Sequence, residues 1–368
     1  MKLRPILFPG KSSCPQISQS RVNNILKICG NLRNLRMPSP FLDLCLGLVC
    51  CFAVSAQAEV RVSDDMGEAV ALAQPARRIV SLAPHATELL FAAGAGGYVV
   101  GAAEYSDYPP KAGEIPRVGG AQGLDLEAIV ALRPDLVVAW PSGNPAHQIE
   151  RLRRLGVAVY ASEPRRIEDV ADSVERLGRL AGTEAQATRA AAEFRRRHAR
   201  LHARRYTGAP LRVFYQILDE ALITVNGRHL ISDVIRLCGG ENVFADLALA
   251  AARIDIEAVV RLDPDVIVAG GEDPLWRAWR ARWGRWPALR AVRKSDLYLI
   301  PPDAIHRLGP RILDGAEQVC AALDQARKNT DSSRNHVGKN RTGSATGPDK
   351  SRSETHLKRG PDSPGSHP

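Results

Sequence analysis

The feature that most constrains the fold of this chain is a 16-residue segment that occurs twice. Residues 124–139 read LDLEAIVALRPDLVVA, and residues 254–269 read IDIEAVVRLDPDVIVA. The two copies align without a gap, 130 residues apart, with nine identities. Most of the other aligned pairs exchange one aliphatic residue for another. A repeated segment of this kind predicts two similar units of structure within one chain.

Each copy predicts a short helix followed by a turn and a buried strand. An aspartate stands where the N-cap of the helix is expected, because its carboxylate can accept a free backbone N–H. Two residues later a glutamate falls in the positively polarised first turn. A proline ends the helix, and a β-branched run then predicts a buried parallel strand. The residues are Asp125, Glu127 and Pro134 in the first copy, and Asp255, Glu257 and Pro264 in the second.

The remainder of the chain alternates apolar strands with helices, which predicts an α/β protein. We expect two Rossmann-like lobes, each with a central parallel sheet, joined by one long rigid α-helix. Thr183 to Gln186 match a capping box, and the helix that follows runs to about Arg205 without Gly or Pro. The predicted divisions are 1–58 leader and signal peptide, 59–182 first lobe, 183–206 connecting helix, 207–325 second lobe and 326–368 disordered tail.

The N-terminal region has the pattern of an export signal. Residues 37–58 read MPSPFLDLCLGLVCCFAVSAQA, with an apolar core at 44–54 and a small-x-small cleavage site that ends at Ala58. We therefore expect a periplasmic protein cleaved before Glu59. Lipid attachment at Cys50 or Cys51 is the alternative, although neither follows the small residue expected beside a lipidated cysteine.

The charge distribution argues against a nucleic-acid-binding protein. The formal charge of +10 comes from residues 1–58 and 325–368, and the region between them is nearly neutral. Few apolar residues remain beyond residue 326, which indicates disorder there. Only Cys238 and Cys320 lie outside the leader. Two cysteines in an exported chain suggest one disulfide, with two buried free thiols as the alternative.

The sequence has no motif that indicates catalysis. It contains no glycine-rich phosphate loop, no HExxH, no CxxC and no G-x-S-x-G. His198 and His202 are spaced like metal ligands but fall on an arginine-rich helix where exposure is the simpler reading. We therefore expect no enzyme activity, no metal and no cofactor. An exported chain of two lobes without catalytic groups is most simply a ligand carrier.

Aromatic residues follow two of the strands predicted for the first lobe. Tyr105 and Trp140 lie in loops that leave strands at the edge of the sheet where ligands of parallel α/β proteins bind. They are candidate walls of a ligand site, and roofing of the core is the alternative. Four tryptophans between residues 276 and 286 are expected to pack a helix against the second lobe rather than to line the cleft.

From about Arg77 to Leu323 the chain resembles the cobalamin-binding periplasmic proteins of ABC importers. These class III carriers have two lobes joined by a single long helix. The resemblance rests on five segments, which are RRIVSLAPHATELLFAAGA, EYSDYPP, LDLEAIVALRPDLVVAW, GRHLISDVIRLCGGENVF and GPRILDGAEQVCAAL. It covers nearly the whole expected mature region, in order.

The resemblance implies a role for particular residues. Glu127 and Glu257 match the acids that dock on the two permease subunits, which work with ATPase subunits, and Cys238 and Cys320 match the disulfide of the family. The transported ligand, cobalamin or a related corrinoid, would lie in the cleft between the lobes. The residues that match its contacts are Tyr105, Trp140, Asp303, Ala304, Ile305, His306 and Arg307.

Several aromatic positions of the family hold other residues in this chain. Residues 120–123 read GAQG, residues 248–252 read ALAAA, and Ile305 and His306 replace bulky aromatics. A haem or ferric-siderophore carrier of the same superfamily therefore remains an alternative, with Tyr105 as a candidate haem ligand. For His306 a metal contact is one reading, and a polar contact or an exposed position is the other. A sensory module that presents a ligand is a further alternative.

Overall fold

The computed structural model describes residues 59–120, 122–217 and 222–342. Within this part of the chain, no helix is long and apolar enough to cross a membrane. The expected leader, residues 1–58, and residues 343–368 lie outside the described residues. The elements of the first lobe are β1 (Val60–Ser63), β2 (Ala69–Leu72), β3 (Ile79–Ser81), α1 (Pro84–Ala92), β4 (Val99–Ala102), β5 (Gly119–Gly120), β6 (Gly123–Leu124), α2 (Leu126–Ala131), β7 (Leu136–Ala139), α3 (Ala146–Arg154), β8 (Val159–Ala161) and α4 (Ile167–Ala181).

Helix α5 (Glu184–His202) connects this lobe to the second one. The elements of the second lobe are β9 (Leu211–Gln216), β10 (Ile223–Val225), α6 (Leu230–Leu237), β11 (Gly240–Asn242), β12 (Ala251–Arg253), α7 (Ile256–Leu262), β13 (Val266–Gly270), α8 (Asp273–Trp283), α9 (Arg290–Arg293), β14 (Leu297–Ile300), α10 (Pro302–Ile305) and α11 (Ile312–Thr342).

Each lobe is built on a four-stranded parallel sheet. The strand order is β4-β3-β7-β8 in the first lobe and β11-β9-β13-β14 in the second. In chain order both read second-first-third-fourth, so the two sheets have the same topology. The strands of the sequence repeat, β7 and β13, occupy the same third place and are buried almost throughout. The α/β fold with two parallel-sheet lobes is confirmed.

The N-caps predicted in the repeat are present in both lobes. The N–H of Ala128 donates to Asp125 Oδ1 at 2.9 Å, and the N–H of Ala258 donates to Asp255 Oδ1 at 2.7 Å. Each cap fixes the start of its helix, α2 or α7, because it satisfies a backbone donor that the first turn leaves free. The glutamates two residues later therefore occupy equivalent exposed places.

The capping box expected at Thr183 is wrong. Helix α5 begins one residue later, but the Thr183 hydroxyl donates to the carbonyl oxygen of Ala93 at 2.7 Å and does not cap the helix. The start of α5 lies beside the end of α1, where the carbonyl oxygen of Ala93 lacks a partner within its own helix. The Thr183 hydroxyl donates to this oxygen instead of capping α5. The helix has neither Gly nor Pro between its ends, as the sequence predicted.

The disorder expected from residue 326 is wrong for residues 326–342. Helix α11 continues through them to Thr342. Ala326 is buried, and the Arg327 guanidinium donates to the carbonyl oxygens of Cys238 and Gly239 at 2.8 and 2.9 Å. The same guanidinium lies over the Tyr206 ring, with 4.2 Å between its central carbon and the ring centroid. These contacts hold the helix against the second lobe, and charge composition alone did not reveal them.

The two lobes share packing beyond the connecting helix. One buried apolar cluster contains residues of both lobes, among them Leu89 of α1, Phe194 of α5, Ile235 of α6 and Leu313 of α11. Cys238 and Cys320 form a disulfide between the end of α6 and α11, which confirms the predicted bridge. Two of the four tryptophans, Trp279 and Trp283, are buried in the core of the second lobe, as expected.

Candidate functional site

The cleft between the lobes lies at the carboxyl ends of their sheet strands. Segments that follow β4, β7 and β8 face segments that follow β10 and β14, and several of their side chains meet across the gap. This is the edge where ligands of parallel α/β sheets bind. The residues predicted as ligand contacts lie on these segments, but they differ widely in exposure.

Tyr105 stands out from the wall of the first lobe. Its side chain is 78% exposed, and its backbone has a φ of 62°, in the left-handed region that few tyrosines adopt. The next residue anchors the loop, because the Ser106 hydroxyl accepts from Thr87 at 3.1 Å and its carbonyl accepts from Arg117 at 2.9 Å. The anchored turn therefore leaves the tyrosine ring exposed.

Trp140 lies directly after β7 and is half buried. Its ring packs edge-on against His85, with 5.5 Å between the centroids. Its indole N–H is buried without a partner among the described residues. A Cβ at position 143 would lie 1.9 Å from the tryptophan ring, so only glycine fits beneath it. Trp140 thus roofs the first lobe and leaves one polar atom unsatisfied near the cleft.

His85 is almost fully buried beneath Trp140. Its Nε2 lies 3.4 Å from the carbonyl oxygen of Ser162, so this nitrogen carries the proton and donates. Burial lowers the pKa of His85 to about 4, because the charged form would lose its hydration. The ring is therefore neutral at physiological pH and acts as a packing group with one donor.

The predicted contact segment, residues 303–307, begins within the short helix α10. Ala304 and Ile305 are buried, and Ile305 belongs to the apolar core, so these two do not face the cleft. Asp303 is about half exposed, and Arg307 reaches across to the first lobe. The structure therefore brings Asp303 and Arg307 to the cleft, near the loop that carries Tyr105.

His306 turns inward from the same segment. Its ring lies against Gly270, where a Cβ would approach Nε2 to 2.4 Å, and 6.1 Å from the Tyr215 ring. The Nε2 atom and the Tyr215 hydroxyl are both buried without a partner among the described residues. Burial lowers the pKa of His306 to about 4, against an opposing effect of Asp303. No group of three or more potential metal ligands occurs in the described part of the chain.

Five charged side chains meet between the lobes and form what we call the arginine–carboxylate cluster. Glu88 of α1 is only 2% exposed and accepts from Arg311 Nη2 at 2.7 Å and from Arg311 Nε at 3.1 Å. Arg307 lies 3.3 Å from Glu88, 2.6 Å from Asp107 and 3.0 Å from Asp303. Three carboxylates therefore surround two guanidinium groups.

The cluster leaves two carboxylates at the surface of the cleft. Asp107 and Asp303 come from opposite lobes and are both more than half exposed, while Arg307 between them is nearly buried. The hydrogen bond to Arg307 lowers the pKa of Asp107, so this carboxylate stays ionised. The cleft thus offers acceptor oxygens here and not a free cation.

A cavity of about 360 Å³, which we call the interlobe pocket, opens beside this cluster. The first lobe contributes Met66, Pro141, Ser142 and residues 163–165 to its lining. The second lobe contributes Asn226, Arg228, His229, Leu230, Ala250 and Leu308. Pro141 follows Trp140 and Leu308 follows Arg307 in sequence, so the pocket adjoins the predicted ligand contacts.

The two glutamates of the sequence repeat lie far from these contacts in the chain but on equivalent helices. Glu127 and Glu257 are exposed in the first turns of α2 and α7, and neither carboxylate has a partner among the described residues. Three residues later, on the same face of each helix, Val130 and Val260 are also exposed. The repeat therefore produces two matching patches, each with one acid and one apolar side chain.

Five residues of the site were not predicted from the sequence. They are Glu88, Asp107 and Arg311 of the arginine–carboxylate cluster, and Arg165 and Arg228 of the interlobe pocket. An acid inside the apolar run ATELLF was a signal, because a buried carboxylate needs a cationic partner. Its partners Arg307 and Arg311 lie on either side of Gly309 and Pro310, in the segment between α10 and α11, so no helical spacing pointed to them. The arginines of the pocket lie 63 residues apart by number and gave no pattern either.

Comparison with known proteins identifies relatives over most of the described chain. The family model described as periplasmic binding protein matches residues 79–304. The vitamin B12-binding protein of Vibrio cholerae is 40% identical over 260 residues, which cover 69% of this chain and 91% of that protein. The protein of the same description from Vibrio parahaemolyticus is 38% identical over 259 residues, covering 69% and 92%.

Two solved structures of periplasmic binding proteins are also similar to this chain. The crystal structure of the periplasmic vitamin B12 binding protein BtuF of Vibrio cholerae has a TM-score of 0.63 at 40% identity, covering 69% of this chain and 99% of that one. The periplasmic heme-binding protein RhuT from Roseiflexus sp. RS-1 has a TM-score of 0.60 at 24% identity, covering 68% and 98%. The latter likeness shows the fold alone.

Proposed function

Because the chain belongs to the periplasmic binding protein family, we propose that it is the carrier subunit of an ABC importer for cobalamin or a related corrinoid. The ligand binds in the cleft between the lobes and is delivered to the permease. The observation that carries the proposal is the 40% identity to a vitamin B12-binding protein over 91% of that protein's length.

The two exposed carboxylates of the arginine–carboxylate cluster favour a corrinoid ring over haem beside them. The rim of a corrin ring bears amide groups, whose N–H donors match the exposed carboxylates of Asp107 and Asp303. The propionates of haem would meet the same two carboxylates and be repelled. Tyr105, exposed near Asp107 in the sequence, offers a flat apolar face to the ring. Trp140, which packs on His85, offers a second aromatic surface from the loop after β7.

Delivery requires that the carrier dock on the permease. Glu127 and Glu257 are proposed to pair with arginines of two equivalent permease subunits, because the sequence repeat places the two acids on equivalent helices. An alternative role is to stabilise each helix by lying in its positively polarised first turn. Both roles are compatible, but only docking requires the acids for transport.

Spectra of the purified protein test the ligand. We expect the visible bands of cyanocobalamin to remain with the protein through gel filtration, in competition with an equimolar amount of haem. Retention of haem and loss of cobalamin would instead support a haem carrier. In a parallel experiment with a ferric siderophore, retention of that ligand alone would support a siderophore carrier. Recovery of chemically unchanged ligand is expected, since binding and not turnover is proposed.

Transport assays test docking separately from binding. We expect Glu127→Ala combined with Glu257→Ala to reduce cobalamin uptake by cells about tenfold or more, and to leave the dissociation constant unchanged, because both acids are exposed on α2 and α7. Glu150→Ala, an exposed acid on α3, is the matched control. Weaker binding by the purified double variant would contradict the docking role.

A further inference from the structure

The lining of the interlobe pocket includes two arginines, one from each lobe. Arg165 follows β8 in the first lobe and Arg228 follows β10 in the second, and both are exposed at the pocket. Neither lies within 4.0 Å of a carboxylate among the described residues. Arg228 Nη2 donates to the carbonyl oxygen of Ala248 at 3.0 Å, and Arg165 contacts Met66 Sδ at 4.0 Å. Both guanidinium groups thus keep free donors.

The carboxylates near the pocket are already occupied. Glu163 accepts from the N–H and the hydroxyl of Ser142 at 3.0 and 2.9 Å. Asp233 accepts from Arg236 at 2.9 Å and from the N–H of Ile167 at 2.9 Å. Because these acids are engaged elsewhere, they compete little for the two arginines. The pocket therefore has two cationic groups and one lining acid, Glu163, whose charge is dispersed by hydrogen bonds.

The backbone adds to this positive character. Helices α4 and α6 both begin at the pocket, since their N-caps are Arg166 and His229 and the N–H of Ile167 in α4 bonds to Asp233 in α6. The positive ends of both helix dipoles therefore lie at the pocket and add to the positive potential of the two arginines. His229 Nδ1 accepts from the N–H of Ile231 at 3.2 Å, so the ring proton lies on Nε2 and is available as a donor.

We propose that the interlobe pocket is the subsite for the anionic arm of the ligand, which in cobalamin is the phosphodiester that links the nucleotide to the corrin ring. This inference rests on the proposed function. The pocket is at the small end of ligand sites, which span about 300–1,000 Å³, so at about 360 Å³ it fits one arm and not a whole corrinoid. It adjoins Trp140 and Arg307, where the ring would lie.

The assignment divides recognition between two places with opposite charge. Exposed carboxylates at Asp107 and Asp303 accept from amides of the ring, and Arg165 with Arg228 donates to the phosphodiester. The arginines come from both lobes, so the anionic arm joins the lobes when it binds. A corrinoid that lacks the phosphodiester loses this contact and keeps the others.

A comparison of two ligands with two variants tests the subsite. Cyanocobalamin has the phosphodiester and nucleotide, and dicyanocobinamide has neither. We expect Arg165→Gln and Arg228→Gln each to weaken cyanocobalamin binding about tenfold, the effect of losing a hydrogen bond to a charged group. The affinity of each variant for dicyanocobinamide should stay within about twofold of the wild-type value, because this ligand lacks the group that the arginines contact. Arg189→Gln, an exposed arginine of α5, is the matched control.

The outcomes separate this inference from the proposed function. Equal weakening of both ligands, or of neither, would overturn the subsite while leaving the corrinoid carrier intact. Failure of the wild-type protein to bind either corrinoid would overturn both. Haem is the control for another source of anionic groups. Retained haem that is lost in Arg165→Gln and Arg228→Gln, with no effect on cobalamin, would assign the pocket to propionates instead and contradict our proposal.

Discussion

Replacing Glu88 by Gln should destabilise the protein strongly, because this carboxylate is the buried member of the arginine–carboxylate cluster. Its side chain is 2% exposed and lies 2.7 Å from Arg311 and 3.3 Å from Arg307. Removing one partner of a buried ion pair costs about 3–5 kcal/mol, since the other charge is left without compensation. Glutamine retains an acceptor oxygen, so we expect the lower limit, about 3 kcal/mol.

The loss can be measured as a change in the free energy of unfolding, by urea denaturation monitored by circular dichroism. Thermal unfolding gives a second measure. For domains of this size 1 kcal/mol corresponds to about 2–4 °C, so the melting temperature should fall by about 6–12 °C. Glu127→Gln is the matched control, because this glutamate is exposed and has no partner among the described residues. Its effect should stay within about 0.5 kcal/mol.

A double-mutant cycle with Arg311 tests the cause. The losses in Glu88→Gln and Arg311→Gln should not add, because the second substitution removes a charge that the first had already left unpaired. A stability of Glu88→Gln within 0.5 kcal/mol of the wild-type protein would refute the reasoning. Full additivity of the two substitutions would show that the cluster does not act as a unit.

Three further predictions follow from the geometry. Tyr105→Ala should weaken cobalamin binding about tenfold, the loss of roughly 1–2 kcal/mol of aromatic contact, and should leave the melting temperature unchanged because the ring is 78% exposed; an unchanged dissociation constant would remove Tyr105 from the site. Replacing Cys238 and Cys320 by Ser should lower the free energy of unfolding by about 4–5 kcal/mol for a loop of 82 residues, and a loss below 1 kcal/mol would contradict the chain-entropy estimate. Burial lowers the pKa of His85 to about 4 from about 6.5 when unfolded, so the unfolded state binds more protons below pH 6.5, and His85 should contribute a fall in stability of up to about 1.4 kcal/mol per pH unit from there toward pH 4. His229 and His306, whose pKa burial also lowers to about 4, add to the slope in the same direction. His85→Gln should therefore reduce the slope in urea titrations at several pH values without abolishing it, and an unchanged slope would exclude His85 as a contributor.

The fold followed from the sequence because its strongest signal is long and repeated. Sixteen residues with the same cap, helix, proline and strand occur in both lobes, and β7 and β13 take the same place in their sheets. Contacts between distant segments were harder to anticipate. Helix α11 continues past residue 326, where Arg327 and Asn329 bond to the second lobe, and the local composition of the tail did not reveal these contacts.

The candidate site was predictable where side chains follow a strand and remain exposed, as Tyr105 and Asp303 do. Sequence position alone did not separate these residues from Ile305, which turns into the core two residues after Asp303. The interlobe pocket could not be foreseen, because Arg165 and Arg228 belong to different lobes and line one cavity only when the lobes pack together.

Calorimetric titration of the purified periplasmic protein with cyanocobalamin tests the central claim most directly. We expect one ligand bound per chain with a dissociation constant of about 1 µM or tighter, which corresponds to a binding free energy of about −8 kcal/mol or more negative. Absence of heat and of binding at concentrations up to about 1 mM would contradict the corrinoid carrier, whatever the outcome with the individual variants.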